Sequence, residues 1–223
     1  MEEQTNTITS RRSRPRPAKE PLSKEIIVKT AYDLLESEGI SGLSMRKIAK
    51  VLDTGPSSLY VYVKNADELR AYVLDYGLGK IEITDEKNEP WKKELFTLVH
   101  SYFRILFDSS GMAELALMTI PIGPNSLALT EQILCQLHEG GVNARASAWG
   151  VDILLLFAAS VAYEQTARKE KGTTLDPIRA SYEALDTARY PMIVSLKENM
   201  LSGGEERFRW GLEVVLQGIL HTQ

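Results

Sequence analysis

Apolar residues in this chain recur at the spacing of helices from end to end, and polar or glycine-containing breaks divide them into segments. From Ser23 to Glu38, Ile27, Ala31, Leu34 and Leu35 share one face, and Gly39 follows where a left-handed cap ends a helix. Met45, Ile48, Ala49 and Leu52 make a second stripe, opposite Arg46, Lys47 and Lys50, with Ser44 placed to cap it. Asp53, Thr54 and Gly55 carry turn chemistry, and Pro56 suits the first position of a third helix, whose missing N–H would have had no intrahelical partner. At 100° per residue Leu59, Val63 and Ala66 then face inward, and Ser57, Tyr60, Val61 and Lys64 face outward. The pattern predicts three helices closing a small core, the last two in a helix-turn-helix whose second member shows a small, mostly uncharged outer surface. Helical hairpins of this periodicity also occur with no nucleic acid to read.

Beyond Asn65 the periodicity predicts a connector helix to about Ile81, a polar break from Thr84 to Glu89, and a helix opened by Pro90. That helix turns Leu95, Leu98, Tyr102, Ile105 and Leu106 inward, and sets His100, Phe103 and Phe107 on an adjacent face. These three are the candidate lining of a ligand cavity, together with Trp149, although aromatic residues at this spacing also serve plain packing. Short helical runs follow over Met112–Ile122 and Asn125–Gly140, separated by Pro121, Gly123 and Pro124. The longest helix is expected from Asn143 to about Lys171; its apolar run, Val151–Tyr163, falls short of the ~20 residues that cross a bilayer. Asp176 and Pro177 open another helix, and the segment from Gly172 to Tyr190 is placed to cover a pocket as a lid. Ser202 with Glu205 has the form of a capping box for the last helix, where Phe208, Gly211, Leu212, Val215 and Ile219 form one stripe and Trp210 and Val214 a second.

A long helix apolar nearly all round needs cover on every side, and the last helix is its natural complement. The candidate subunit interface takes Leu156, Ser160 and Tyr163 from the first and Phe208, Leu212, Val215 and Ile219 from the second.

Charge sharpens the picture. The 223-residue chain has a formal net charge of -4, but residues 1–64 carry a net +3 and the remainder -7, so positive charge gathers at the helix-turn-helix end. Arg11, Arg12, Arg14, Arg16 and Lys19 alternate with Ser and Pro in a leader that cannot bury a core, which predicts a flexible basic arm over residues 1–21. It serves either as a minor-groove contact or as a solvated tail, and with no apolar run behind its arginines it does not read as a signal peptide. Cys135 is the sole cysteine, and the three histidines have no metal-ligand spacing, so no metal or cofactor is expected. No nucleophile elbow, phosphate-binding loop or dinucleotide turn occurs, which leaves an enzyme little support. A cytoplasmic protein that does not enter membranes is the expectation.

The run from Leu22 to Leu69 resembles the N-terminal domain of TetR-type transcriptional repressors in three motifs: AxxLLxxxG ending at Gly39, LSMRKIA from Leu43, and LYVYVKN from Leu59. The closing RFRWGLEVVLQGIL, Arg207–Leu220, is similar to the last helix of the subgroup nearest the tetracycline repressor. The resemblance implies an all-α fold: a helix-turn-helix domain over residues 22–68 and a ligand-binding and dimerisation domain over 69–223. It implies a backbone or base contact at Arg46, base-edge contacts at Pro56, Ser57 and Val61, and phosphate contacts at Tyr60, Tyr62 and Lys64. For Tyr62, a half-buried ring with its hydroxyl at the surface is the other reading. Ala66 stands where the tetracycline repressor has a phosphate-binding lysine, and Pro56 where its recognition helix begins with glutamine, so a different operator is expected. The function implied is a homodimeric repressor released from a palindromic double-stranded operator by a small molecule. The alternative is a helical adaptor of the same fold that acts through protein partners.

Overall fold

The structure, a computed structural model, describes residues 21–83 and 89–222. The expected basic arm therefore lies outside the described residues apart from Pro21, as does the polar break apart from Glu89. Eleven α-helices and no strand occur among the described residues: α1 (Lys24–Glu38), α2 (Met45–Val51), α3 (Pro56–Leu59), α4 (Ala66–Leu78), α5 (Trp91–Asp108), α6 (Met112–Met118), α7 (Pro124–Glu139), α8 (Ala144–Glu170), α9 (Asp176–Glu183), α10 (Pro191–Met200) and α11 (Gly204–His221). The chain has the all-α architecture that the periodicity predicts.

At the N-terminal end Ser23 caps α1 by accepting a hydrogen bond from the Ile26 amide at 3.3 Å, and Gly39 ends it with φ +65°. Ile27, Ala31, Leu35, Ile48, Ala49, Leu59 and Val63 close the small core of α1, α2 and α3. Three local expectations fail there or further on. Ser44 makes no side-chain cap on α2, and the Ser202–Glu205 capping box does not form, because α11 starts from Gly203 and the Ser202 hydroxyl donates to the Asn199 carbonyl. The third helix stops after Leu59: the amides of Tyr62 and Val63 both donate to the Leu59 carbonyl, and Asn65 caps α4 by accepting from the Glu68 amide at 2.8 Å. β-Branched Val61 and Val63 favour helix weakly, and Asn65 rewards a new start, so Ala66 opens α4 instead of lying inside α3. Helices α9 and α10 pack on each other, and α10 has no counterpart in the sequence reading.

Helix α4 belongs to both ends of the molecule, packing on α1 and also on α5, α6 and α7. One apolar core runs continuously through it from Ile27 to Ile219. Two polar knots fix α4 in place. In the first, Tyr32 of α1 donates to Glu36 at 2.8 Å, accepts from the Lys80 ammonium at 2.7 Å, and lies 2.9 Å from the Ser109 hydroxyl. The hydrogen bond to Tyr32 raises the Lys80 pKa above its ordinary value. In the second, the buried Asp75 carboxylate of α4 receives the Ser126 amide at 2.8 Å, the Ser126 hydroxyl at 2.9 Å and the Asn125 amide group at 3.1 Å. Asp75 thus does for the first turn of α7 what an N-cap residue normally does from within the chain. Gly123 makes room for it, since a Cβ there would overlap the Asp75 carboxyl group.

Helix α8 exceeds its expected apolar run and, by length and hydropathy alone, is long enough to span a bilayer. Here it packs as a core helix against α5, α6, α7 and α11 on one side. On the other side Trp149, Ile153, Leu156, Ser160 and Tyr163 remain exposed as one stripe.

Removing the Asp75 carboxylate strands buried donors, so Asp75→Ala is expected to cost about 3 kcal/mol and lower Tm by roughly 6 to 12 °C in calorimetry. Gly123→Ala should be nearly as damaging; Gly55→Ala, where a Cβ meets nothing within 4 Å, should leave Tm almost unchanged. Because folding raises the proton affinity of Lys80, its stabilising share is complete below lysine's ordinary ~10.4 and disappears as pH rises through the higher folded value. Tyr32→Phe should weaken that alkaline dependence in pH-resolved unfolding curves, leaving the smaller share from Glu36, 3.8 Å from the ammonium.

Candidate nucleic-acid interface and effector cavity

Helix α3 is short, yet the surface that it and the following turn present is open. Pro56, Ser57, Tyr60 and Val61 are exposed, Val61 by 80%, while Leu59 and Val63 point into the core. Arg46 and Lys50 are exposed on α2, and the Lys64 side chain, 87% exposed, stands 4.0 Å from Glu68. Lys47 is paired with Glu38, which removes it from the free basic set. Arg46, Pro56, Ser57, Tyr60, Val61 and Lys64 therefore reach solvent around α2 and α3. Tyr62 is 37% exposed, which lies between its two readings. An uncharged ridge flanked by cations and phenols is chemically suited to a groove floor with phosphate walls.

A second feature lies in the C-terminal domain, a cavity of about 780 Å³ bounded by α5, α8, α9, α11 and the turn before α11. Such a volume is within the range that holds drug-sized molecules. His100, Phe103 and Phe107 line it as a group, and the lid expected over Gly172–Tyr190 supplies Leu175, Ile178 and Tyr182. His100 Nε2 lies 3.4 Å from Glu205.

Two sequence assignments need correction. Trp149 does not line the cavity: it is 64% exposed near the start of α8, with the Arg145 guanidinium 5.3 Å from its ring centroid. Eight residues separate it from the cavity-lining Phe157, about 12 Å along the axis, and its stripe faces outward. Phe208, Leu212 and Ile219, expected at a subunit interface, are buried within the subunit, and Val215 is partly buried. They form the inner face of α11, which packs on α8 of the same chain; the exposed stripe of α11 is Trp210, Val214 and Gly218. Leu156, Ser160 and Tyr163 of α8 are exposed, as an interface would require.

Sequence reading did not place Phe157 or Phe208 in the cavity. Phe208 stacks 4.3 Å from Phe103 and 5.7 Å from Phe157, centroid to centroid, so three helices build one aromatic wall. Periodicity within a single helix holds no signal for that meeting. Among the described residues no group of three or more His, Cys, Asp or Glu is placed to hold a metal ion.

Residues 84–223 match the family model described as the tetracyclin repressor-like C-terminal domain. An HTH-type transcriptional regulator of Saccharopolyspora erythraea is 28% identical over 216 residues, covering 95% of this chain and 89% of that protein. Among solved structures, the Streptomyces transcription regulator SCO7704 is 39% identical with a TM-score of 0.76, over 91% of this chain and 96% of that one. ActR of Streptomyces coelicolor, solved in complex with actinorhodin, is 32% identical with a TM-score of 0.82, over 90% of this chain and 96% of that one. With a helix-turn-helix at one end and the matched helical domain over most of the remainder, the chain belongs to the tetracycline-repressor-like (TetR) family of transcriptional regulators and is not an enzyme.

Proposed function

We propose that this protein is a homodimeric repressor that leaves a palindromic operator when a small molecule occupies the cavity. The observation that carries the reading is the bare, uncharged ridge of Pro56, Ser57, Tyr60 and Val61, left in solvent by a core that consumes the apolar residues around it. A large exposed Val61 between two exposed phenols makes sense on a surface that meets base edges and phosphates. Tyr60, Tyr62 and Lys64 serve as phosphate contacts, with Arg46 beside them, while Pro56, Ser57 and Val61 face the bases.

One such ridge makes too few base contacts for specific binding, and two held at a fixed separation add their free energies. The pairing surface in this reading is the outward stripe of α8, including Ile153, Leu156, Ser160 and Tyr163, with Trp210 and Val214 of α11. Together they form a four-helix arrangement across a two-fold axis. The separation required is ~34 to 36 Å, one turn of DNA. A ligand that favours a different spacing shifts the population away from the DNA-bound form, with a typical coupling of ~1 to 3 kcal/mol.

Gel shift with the DNA upstream of the protein's own gene should give a retarded band at low salt, and its absence there would sink the reading. Raising salt from ~50 to ~200 mM should weaken binding by roughly 10³ to 10⁵ if ~6 to 10 phosphates are contacted. Tyr60→Phe should weaken specific and nonspecific DNA alike, whereas Val61→Ala should change sequence preference; equal effects of the two would contradict the assigned roles. Light scattering on Leu156→Glu should report a monomer that has lost specific binding, and a stable dimer would move the interface elsewhere.

A further inference from the structure

An acidic side chain stands beside the exposed Lys64 at the helix-turn-helix end, where charge alone argues against it. Glu68 lies in the first turn of α4, and a carboxylate close to a nucleic-acid surface repels the phosphates. Its side chain is nevertheless only 16% exposed, and both of its oxygens are engaged by the protein.

The path of the backbone out of α3 explains what those oxygens hold. The amides of Tyr62 and Val63 donate back to the Leu59 carbonyl at 2.9 and 3.1 Å. The next amide, that of Lys64, turns the other way and donates to Oε2 of Glu68. Oε1 accepts from the Tyr72 hydroxyl at 3.1 Å, one turn along α4, and the Lys24 ammonium of α1 lies 3.2 Å from the centroid of the Tyr72 ring. In return the Glu68 amide donates to the Asn65 side chain at 2.8 Å, a capping box whose carboxylate reaches one residue further back than usual. The Lys64 peptide is thereby fastened to α4 and, through Tyr72, to the start of α1. The Lys64 ammonium itself, 4.0 Å from Glu68 on a side chain 87% exposed, is beyond hydrogen-bond reach and open to an outside anion. The bond from the Lys64 amide, more than any other influence, holds the Glu68 carboxyl below its ordinary pKa; the Tyr72 hydroxyl and the ammonium groups of Lys64 and Lys24 add to it, and desolvation opposes it. The neighbouring carboxylate, Asp67, has an 86% exposed side chain and pairs with Arg70 at 2.7 Å instead.

We propose that Glu68 is a positioning residue for DNA binding: its carboxylate holds the Lys64 amide against α4 and so sets the Lys64 side chain where a phosphate oxygen meets it. The inference rests on the DNA contacts proposed above, and adds that a group repelled by DNA strengthens its binding.

The test measures fluorescence anisotropy of two duplexes with the full-length protein, the DNA upstream of its own gene and a random sequence of the same length, over a series of salt concentrations. Glu68→Ala should bind both duplexes roughly tenfold more weakly and flatten the salt slope by about 1, as loss of one phosphate contact does. Glu68→Gln loses the same charge but keeps an oxygen for the Lys64 amide, so it should recover part of the loss. Tyr72→Phe should weaken binding by about threefold. Asp67→Asn, which removes a like charge one residue away, should bind at least as tightly as the unsubstituted protein. With Lys64→Ala already present, Glu68→Ala should cost little more. In the free protein, hydrogen exchange at the Lys64 amide should quicken by at least ~tenfold in Glu68→Ala. Undiminished binding by Glu68→Ala, equal binding by Glu68→Ala and Glu68→Gln, as large a loss in Asp67→Asn, full additivity with Lys64→Ala, or unchanged exchange at the Lys64 amide overturns the positioning role. Any of these leaves DNA binding by the unsubstituted protein, and the proposed function with it, intact. An unsubstituted protein that binds neither duplex at ~50 mM salt defeats the DNA reading and the positioning role together.

Discussion

A carboxylate 6% exposed, that of Asp75, holds this molecule to its shape. An ionised group so far from water needs donors, and the first turn of α7 has backbone and side-chain donors that its own helix cannot use. Each side solves the other's problem, and the solution fastens α7 to α4. Because α4 is also tied to α1 by the Lys80 hydrogen bond to Tyr32, the helix-turn-helix end and the C-terminal domain are joined through one stiff element. Any shift of α4 against α7 must return the carboxylate to water or find it other donors. The relation between the two ends is therefore far more restricted than a linker would impose.

The same economy governs α8 and α11. Each has an apolar face too wide to be used once, and the fold divides it. On α11, Phe208, Leu212 and Ile219 go inward against α8, leaving Trp210 and Val214 in solvent. On α8, Leu154, Ala158 and Ala162 go inward, leaving Ile153, Leu156 and Tyr163 outside. Phe208 contributes to the core and to the cavity wall together, so the cavity is continuous with the packing that orders the domain.

At the other end, scarcity of charge is the informative property. Helix α3 is a single turn, and its work is to lodge Leu59 in the core while holding its neighbours out in solvent. The cations stand around that ridge and not on it. Exposed cations and the exposed uncharged surface are in this way carried by different side chains.

Much of this was legible in the amino-acid order. The apolar spacing located most of the helices, Gly39 and Asn143 marked boundaries where expected, and Ser57, Tyr60, Val61 and Lys64 are exposed as angles around a helix axis predicted, although the helix itself ends at Leu59. These features depend on residues a few positions apart, whose geometry the backbone repeats. The early end of α3, the covered state of Phe208, Leu212 and Ile219, the outward Trp149, and the meeting of Phe157 with Phe208 depended on which surfaces come together across the chain. Two apolar stripes on one helix have the same periodicity whether they meet their own subunit or remain in solvent. Only the packed tertiary structure, by using up one stripe and leaving the other, decided between them.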